Sequence, residues 1–218
     1  MTKTVAIIGG TGNQGPGLAW RWAKSGQYHV IIGSRQAEKA QRVAIELNEK
    51  LRQDLIRGTA NEEAVKAADL CVITVPYEAQ GPTLAGLREA LQGKILVDVT
   101  VPLKPPKVSW VYVPPGGSAG QEAQSILGDG VRVVSAFQNV SATHLAEDHD
   151  HVDCDVLICG DDKEAKAEVR ALAEAAGMRG IDVGPLQNAV VMEGLTAVLI
   201  GINIRHKVKG AGIKITGI

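Results

Sequence analysis

The chain has 218 residues, a formal net charge of −1, 45% apolar side chains and 22% charged ones. At about 150 residues per domain this is one full domain with a smaller appendage, and the ordinary apolar share excludes a disordered or fibrous chain. The balanced charge argues against a protein that holds nucleic acid by blanketing its phosphates, which needs a basic excess on one face.

Short runs of Val, Ile and Leu alternate with segments of helical period, which points to parallel strands joined by crossover helices. Strands are predicted at 4–8, 29–33, 70–75, 95–100, 131–136, 155–159 and 178–183. Most are apolar on both faces, as strands covered by helices on both sides are. Helices are predicted at 14–25, 36–52, 61–68, 82–91, 119–127, 163–176 and 188–206, the 163–176 helix ending at Gly177. With 25 glycines and 3% aromatics, the core is expected to be aliphatic, with close backbone approaches.

The pattern pauses in the polar stretch 135–151, which places a boundary near 136–140, so the chain divides into residues 1–138 and a smaller C-terminal α/β domain, 139–218. Segment 102–120 holds Trp110 and Tyr112 among prolines and glycines, and reads as a structured loop able to cover a site. The helix 188–206 lacks a polar face, so it belongs in a core or a subunit contact. Gly194 and Gly201 lie two turns apart on it and could pack against a symmetry mate, giving a homodimer. Cys71, Cys154 and Cys159 lack metal or redox spacing and sit in or beside apolar runs, which favours a reducing, cytoplasmic setting. The N-terminus is too briefly apolar for a signal peptide, and 189–204 is interrupted by Glu193 and Asn203, so no membrane partner is expected.

The chemistry concentrates at strand ends. Residues 4–8 run into GGTGNQG, where Gly10, Gly12 and Gly15 match G-x-G-x-x-G between a strand and a helix. Gly10 suits a tight turn, Gly12 lets the backbone approach a pyrophosphate, and Gly15 lets helix pack on strand. The helix start offers free N–H groups and a positive dipole end, and Pro16 falls in the tolerant first turn. The next strand ends in Gly33-Ser34-Arg35 rather than in the carboxylate that bonds the ribose of NAD, and Lys39 follows one turn later. Ser34, Arg35 and Lys39 suit a 2′-phosphate, so the cofactor is read as NADP(H). TVPYEA (74–79) and VTVPL (99–103) each stop at a proline on the carboxyl edge of the sheet, where Val75 and Val101 could wall a nicotinamide riboside.

These segments, with SAFQNVSA (135–142), ICGDD (158–162), DVGPLQNA (182–189) and GIK (212–214), resemble the NADPH-dependent coenzyme F420 reductases, or 8-hydroxy-5-deazaflavin:NADP oxidoreductases, from end to end. The resemblance implies a Rossmann-type doubly wound sheet, a small C-terminal domain closing a deazaflavin cleft, and direct hydride exchange between deazaflavin carbon 5 and nicotinamide carbon 4. It assigns Thr11, Gly12, Asn13 and Gln14 to the pyrophosphate, Ser34, Arg35 and Lys39 to the 2′-phosphate, and Val75, Ala79, Val101 and Ala142 to the nicotinamide half. Thr11, Gln138 and Val140 are the expected ring contacts. No acid or base is required, because the cofactors carry the chemistry. Arg205, His206, Lys207 and Lys209 are candidates for the anionic deazaflavin tail. Gln138 stands where that family typically has a histidine, and unlike histidine it does not titrate near neutral pH. Two other readings therefore stay open: an NADPH-dependent flavin or ferric reductase, and a non-catalytic NADP(H) sensor.

Two weaker signals are set aside. GGSAG (116–120), with Asp129 and His144, has hydrolase order, but Pro114 and Pro115 break the strand a nucleophile elbow requires. His144, His149, His151, Asp153 and Cys154 crowd a loop without metal-ligand spacing, and no metal is expected.

Overall fold

The computed structural model describes residues 2–218. Its strands are β1 (Lys3–Ile8), β2 (Tyr28–Ser34), β3 (Ile56–Ala60), β4 (Leu70–Ile73), β5 (Ile95–Asp98), β6 (Arg132–Ala136), β7 (Asp155–Gly160) and β8 (Arg179–Asp182). Its α-helices are α1 (Gly15–Lys24), α2 (Ala37–Leu51), α3 (Asn61–Lys66), α4 (Tyr77–Leu91), α5 (Ala119–Leu127), α6 (Ala142–Ala146), α7 (Lys163–Ala175) and α8 (Ala189–His206). One 8-stranded sheet runs β3-β2-β1-β4-β5-β6-β7-β8, so it continues across residue 138.

Alternating residues of the central strands feed two cores. Val5, Ile7, Val72 and Val97 pack with α1, α2 and α7, while Ala6, Ile8, Cys71, Ile73 and Leu96 pack with α3, α4, α5 and α8. This is the doubly wound α/β architecture the apolar runs predict. The order reverses at β1, between β2 and β4, and the crevice beyond the strand ends there is the expected ligand position.

The structure departs from the expected elements in four places. β3 escaped notice because an edge strand needs few apolar residues; Gly58 lies so close to α2 that a β-carbon would meet the Ala40 carbonyl carbon at 2.1 Å. Helix α4 begins at Tyr77, five residues earlier than predicted, and takes Pro82 into its body. Its first turn is held from outside, where buried Gln80 reaches Asp98 and the Ala119 carbonyl. The β6–β7 pair is antiparallel, with Ala136 opposite Ile158, because no crossover helix of sufficient length separates them. The intervening stretch forms the short α6 instead of an open linker.

That stretch is fastened to α1. The buried Arg21 donates to the carbonyls of His144 (2.8 Å), Leu145 (3.0 Å), Glu147 (2.9 Å), His149 (3.1 Å) and Ala176 (3.2 Å). The Trp22 indole N–H donates to the Leu172 carbonyl at 2.9 Å, and its ring meets Phe137 edge to face at 5.9 Å. Replacing Arg21 by Met would strand several of these carbonyls without a donor. We expect a loss of about 3 kcal/mol or more in urea unfolding.

Candidate functional site

The glycine turn after β1 divides into packed and open positions. The Gly10 N–H donates to the Ile7 and Gly33 carbonyls, and a β-carbon on Gly15 would fall 2.5 Å from the Gly10 oxygen. Both residues serve packing, and the left-handed backbone expected of the turn sits at Gly9 (φ +67), whose N–H donates to Asn61 Oδ1 at 3.1 Å. Gly12 differs: it is exposed, and a β-carbon there would find nothing nearer than 3.9 Å. The space above Gly12 is a cradle for a group that approaches the backbone closely, next to an α1 start that no side chain caps.

That cradle opens into a cavity of about 610 Å³, whose wall includes Thr11, Ser34, Arg35, Lys39, Asn61 and Ala79. Among the described residues, Arg35 and Lys39 join no ion pair, so both cations are available to an anionic ligand. Ser34 is buried at the strand end and its hydroxyl accepts from the Gln36 N–H at 3.2 Å. The donor set fits a dinucleotide carrying a 2′-phosphate.

A second cavity of about 730 Å³ meets the first at Gly12, Thr74, Val75 and Pro76. The ends of β4 and β5 form its floor, residues 138–142 one wall, and Thr196, Leu199, Ile200 and Asn203 of α8 another. Asn13, Gln14, Val101, Gln138, Val140 and Ala142 all line it. Thr11 lines only the nucleotide cavity, and Gly10 and Gly15 line neither. Arg205, His206, Lys207 and Lys209 are exposed and off the cavity wall, although Asn203 and Ala211 on either side of them line it.

The wall at 138–142 depends on long-range partners. Phe137 adopts φ +71, a strained value for a bulky residue, and its carbonyl accepts from Gln14 Nε2 at 3.0 Å. Gln14 also reaches the Val140 carbonyl at 3.4 Å, so its side-chain amide braces this turn and only its backbone remains to face a phosphate. Gln138 Nε2 donates to the Asp98 carbonyl (2.7 Å) and to Ser135 Oγ (2.6 Å), which leaves its Oε1 without a partner. Behind the floor, Asp98 accepts from the Thr100 N–H (2.9 Å), and Glu193 on α8 accepts from the N–H groups of Ala119 (2.8 Å) and Gly120 (3.0 Å) at the start of α5. Burial pushes Asp98 up to about 6 and Glu193 up to about 8.

The sequence pattern gave no site role to the side chains of Asn61, Thr74, Thr100, Glu193 or Thr196, because each is an isolated polar residue in an ordinary element. Adjacency across the sheet edge alone reveals them. Other candidates serve the scaffold. Ser118 caps α5, accepting from the Gln121 N–H at 3.1 Å. His144 contacts Glu147 and the Gly210 carbonyl, and Asp148 and Asp150 pair with Lys24. Burial raises the thiols of all three free cysteines, Cys71 and Cys159 to about 12, so none is a ready nucleophile.

Two expectations follow from this geometry. Because Gly12 faces open space, Gly12→Ala should melt at the wild-type temperature while NADP(H) binding, measured by fluorescence titration, weakens about tenfold or more. Glu193 and Asp98 hold protons in the folded state that the unfolded chain has released, so stability should fall as pH rises from about 4 to about 8 and level off above, with a slope of up to about 2.7 kcal/mol per unit where both groups contribute and up to about 1.4 above about pH 6, where only Glu193 does. The depressed carboxylates Asp148, Asp150 and Asp155 titrate below that window. Urea midpoints across this range should lose the upper part of the slope in Glu193→Gln.

Residues 4–102 match the family model described as NADP oxidoreductase, coenzyme F420-dependent. The chain is 44% identical to the F420-dependent NADP reductase of Methanocaldococcus jannaschii over 98% of each chain. It is 41% identical to the F420-dependent NADP reductase of Methanothermobacter thermautotrophicus over 100% of this chain and 97% of that one. A solved structure from Arthrobacter sp. FB24, provisionally described as an F420-dependent NADP reductase, superposes with a TM-score of 0.79 at 26% identity, covering 98% of this chain and 99% of that one. With relatives this similar over nearly its whole length, and with a basic dinucleotide cradle opening into a second cleft, the chain belongs to the family of coenzyme F420-dependent NADP oxidoreductases.

Proposed function

We propose that this protein is an oxidoreductase that transfers a hydride between coenzyme F420 and NADP(H). The observation that carries the reading is the junction of the two cavities at Gly12, Thr74, Val75 and Pro76, which joins a site for a phosphorylated dinucleotide to a site for a second ring. When bound, the nicotinamide and the deazaflavin supply the hydride chemistry themselves. Arg35, Lys39 and Ser34 anchor the 2′-phosphate, and the backbone of Thr11–Gln14 with the α1 start holds the pyrophosphate. Val75, Ala79, Val101 and Ala142 wall the nicotinamide half, while Gln138 and Val140 face the stacked rings from the 138–142 turn. Holding both rings in one dry cleft is the protein's main contribution to rate.

In this reading residues 1–138 carry the dinucleotide, and residues 139–218 close the deazaflavin cleft. Lys207 and Lys209, near the rim residues Asn203 and Ala211, are placed to meet the anionic tail. Three buried free thiols suit a reducing cytoplasm. Helix α8 is long and apolar enough by length and composition to cross a membrane. Its buried Glu193, bonded to the start of α5, favours a place within the fold instead. Its glycines do not offer the dimer contact expected of them, since Val111 of the same chain lies against Gly194 and Ser109 against Gly201. The exposed face presents Val191 and Val198 two turns apart, and Val111, itself exposed, lies against Gly194 next to it. We place the two-fold homodimer contact on that face.

Mixing the protein with NADPH and oxidised coenzyme F420 should bleach the deazaflavin absorbance. Bleaching of FMN or reduction of a ferric chelate in its stead would overturn the assignment. Arg35→Ala should raise the KM for NADPH about tenfold or more and leave that for NADH nearly unchanged. Val198→Asp should shift sedimentation from dimer to monomer.

A further inference from the structure

Two polar atoms at the second cavity have no hydrogen-bond partner among the described residues: Gln138 Oε1 and Thr100 Oγ1. Their residues are 5% and 3% exposed, and both line that cavity. Burying such atoms unpaired costs on the order of 1–3 kcal/mol each, so a pair of them in one cleft wall calls for an explanation. Both belong to residues that line the cleft, so a group bound there would supply the missing partner.

The hydrogen-bond polarity of each atom is set by its surroundings. The Asp98 carbonyl can only accept, so the amide nitrogen of Gln138 has to face it, and Oε1 has to face the other way. Gln138 thus offers the cleft an acceptor. Thr100 is held at the end of β5 by its own N–H, which donates to Asp98 Oδ1 at 2.9 Å; its hydroxyl lies beside the same carboxyl group without meeting hydrogen-bond geometry, so it is able to turn and donate to a ligand.

Resting on the oxidoreductase reading above, we propose that Gln138 and Thr100 are specificity-determining residues that together recognise a ring edge bearing a carbonyl beside an N–H. The Thr100 hydroxyl donates to the carbonyl and Gln138 Oε1 accepts from the N–H. Two groups share that chemistry in this cleft: the carboxamide of the nicotinamide and the imide of the deazaflavin pyrimidine ring. A site built to bond an N–H discriminates strongly against a ligand that lacks it, because its own acceptor is then left buried and unpaired.

Equilibrium binding tests this without turnover. Titrate the wild-type protein with NADP and with its 3-acetylpyridine analogue, which keeps the carbonyl and replaces the amine by a methyl group. In parallel, titrate it with the riboflavin-level 8-hydroxy-5-deazaflavin and its N3-methyl derivative. One pair should differ about tenfold or more in Kd, and that pair identifies the source of the recognised edge. Thr100→Val, nearly isosteric, should weaken the same parent ligand about fivefold or more, leave the other ligand unchanged, and melt no lower than wild type, since it removes an unpaired buried hydroxyl. If the wild type binds NADP and the deazaflavin but discriminates in neither pair, the proposal falls while the oxidoreductase reading stands. Thr100→Val melting lower with unchanged affinities overturns it equally. Failure to bind either parent ligand would defeat the oxidoreductase reading itself.

Discussion

Gln14 joins the two halves of the site. Its side-chain amide, at the start of α1, donates to the carbonyls of Phe137 and Val140, more than a hundred residues away. Those carbonyls are presented only because Phe137 takes a left-handed conformation, its ring wedged against Trp22. The aromatic contact, the strained turn and the amide form one arrangement, and it places Gln138, Val140 and Ala142 opposite the glycine turn. Arg21, two turns further along α1, fastens the following residues by four carbonyl contacts and reaches a fifth carbonyl at Ala176. Helix α1 therefore serves twice, with its uncapped N-terminus at the glycine turn and its body gripping the segment that walls the second cleft.

The floor of that cleft rests on a buried polar layer. Asp98 at the end of β5, Gln80 on α4 and the α5 start with Glu193 are tied to one another by hydrogen bonds, and the layer reaches the cleft surface through Thr100 and Gln138. Such a network rigidifies its surroundings where its groups are paired. Here nearly every group is paired, and the two exceptions belong to residues that line the cleft. The same burial that stiffens the floor raises Asp98 and Glu193, so the platform under the rings titrates in the neutral and mildly acidic range.

Much of this was legible beforehand. The apolar runs located the central strands because a strand covered on both faces has no polar alternation to hide it. Gly10, Gly12 and Gly15 marked the turn through their spacing, although only the structure separates Gly12, which faces open space, from its two packed neighbours. Edge strand β3 was silent because it buries little. Pro82 misled about the start of α4 because tertiary bonds to Gln80 hold a turn that propensity alone would not begin. The glycine face of α8 suggested a partner helix, yet the chain covers it with its own loop at Ser109 and Val111.

By itself the sequence determined the doubly wound sheet, the glycine-rich turn after β1 and the basic end of β2, since these rest on residues adjacent in the chain and on periodicities that local sterics enforce. Tertiary structure alone decided what Gln138 offers its ligand, which carboxylates lie beneath the cleft and which face of α8 stays open. The direction of an amide is fixed by whichever group claims its nitrogen. For Gln138 that group is the carbonyl of Asp98, a residue remote in the chain that the β5–β6 pairing brings alongside.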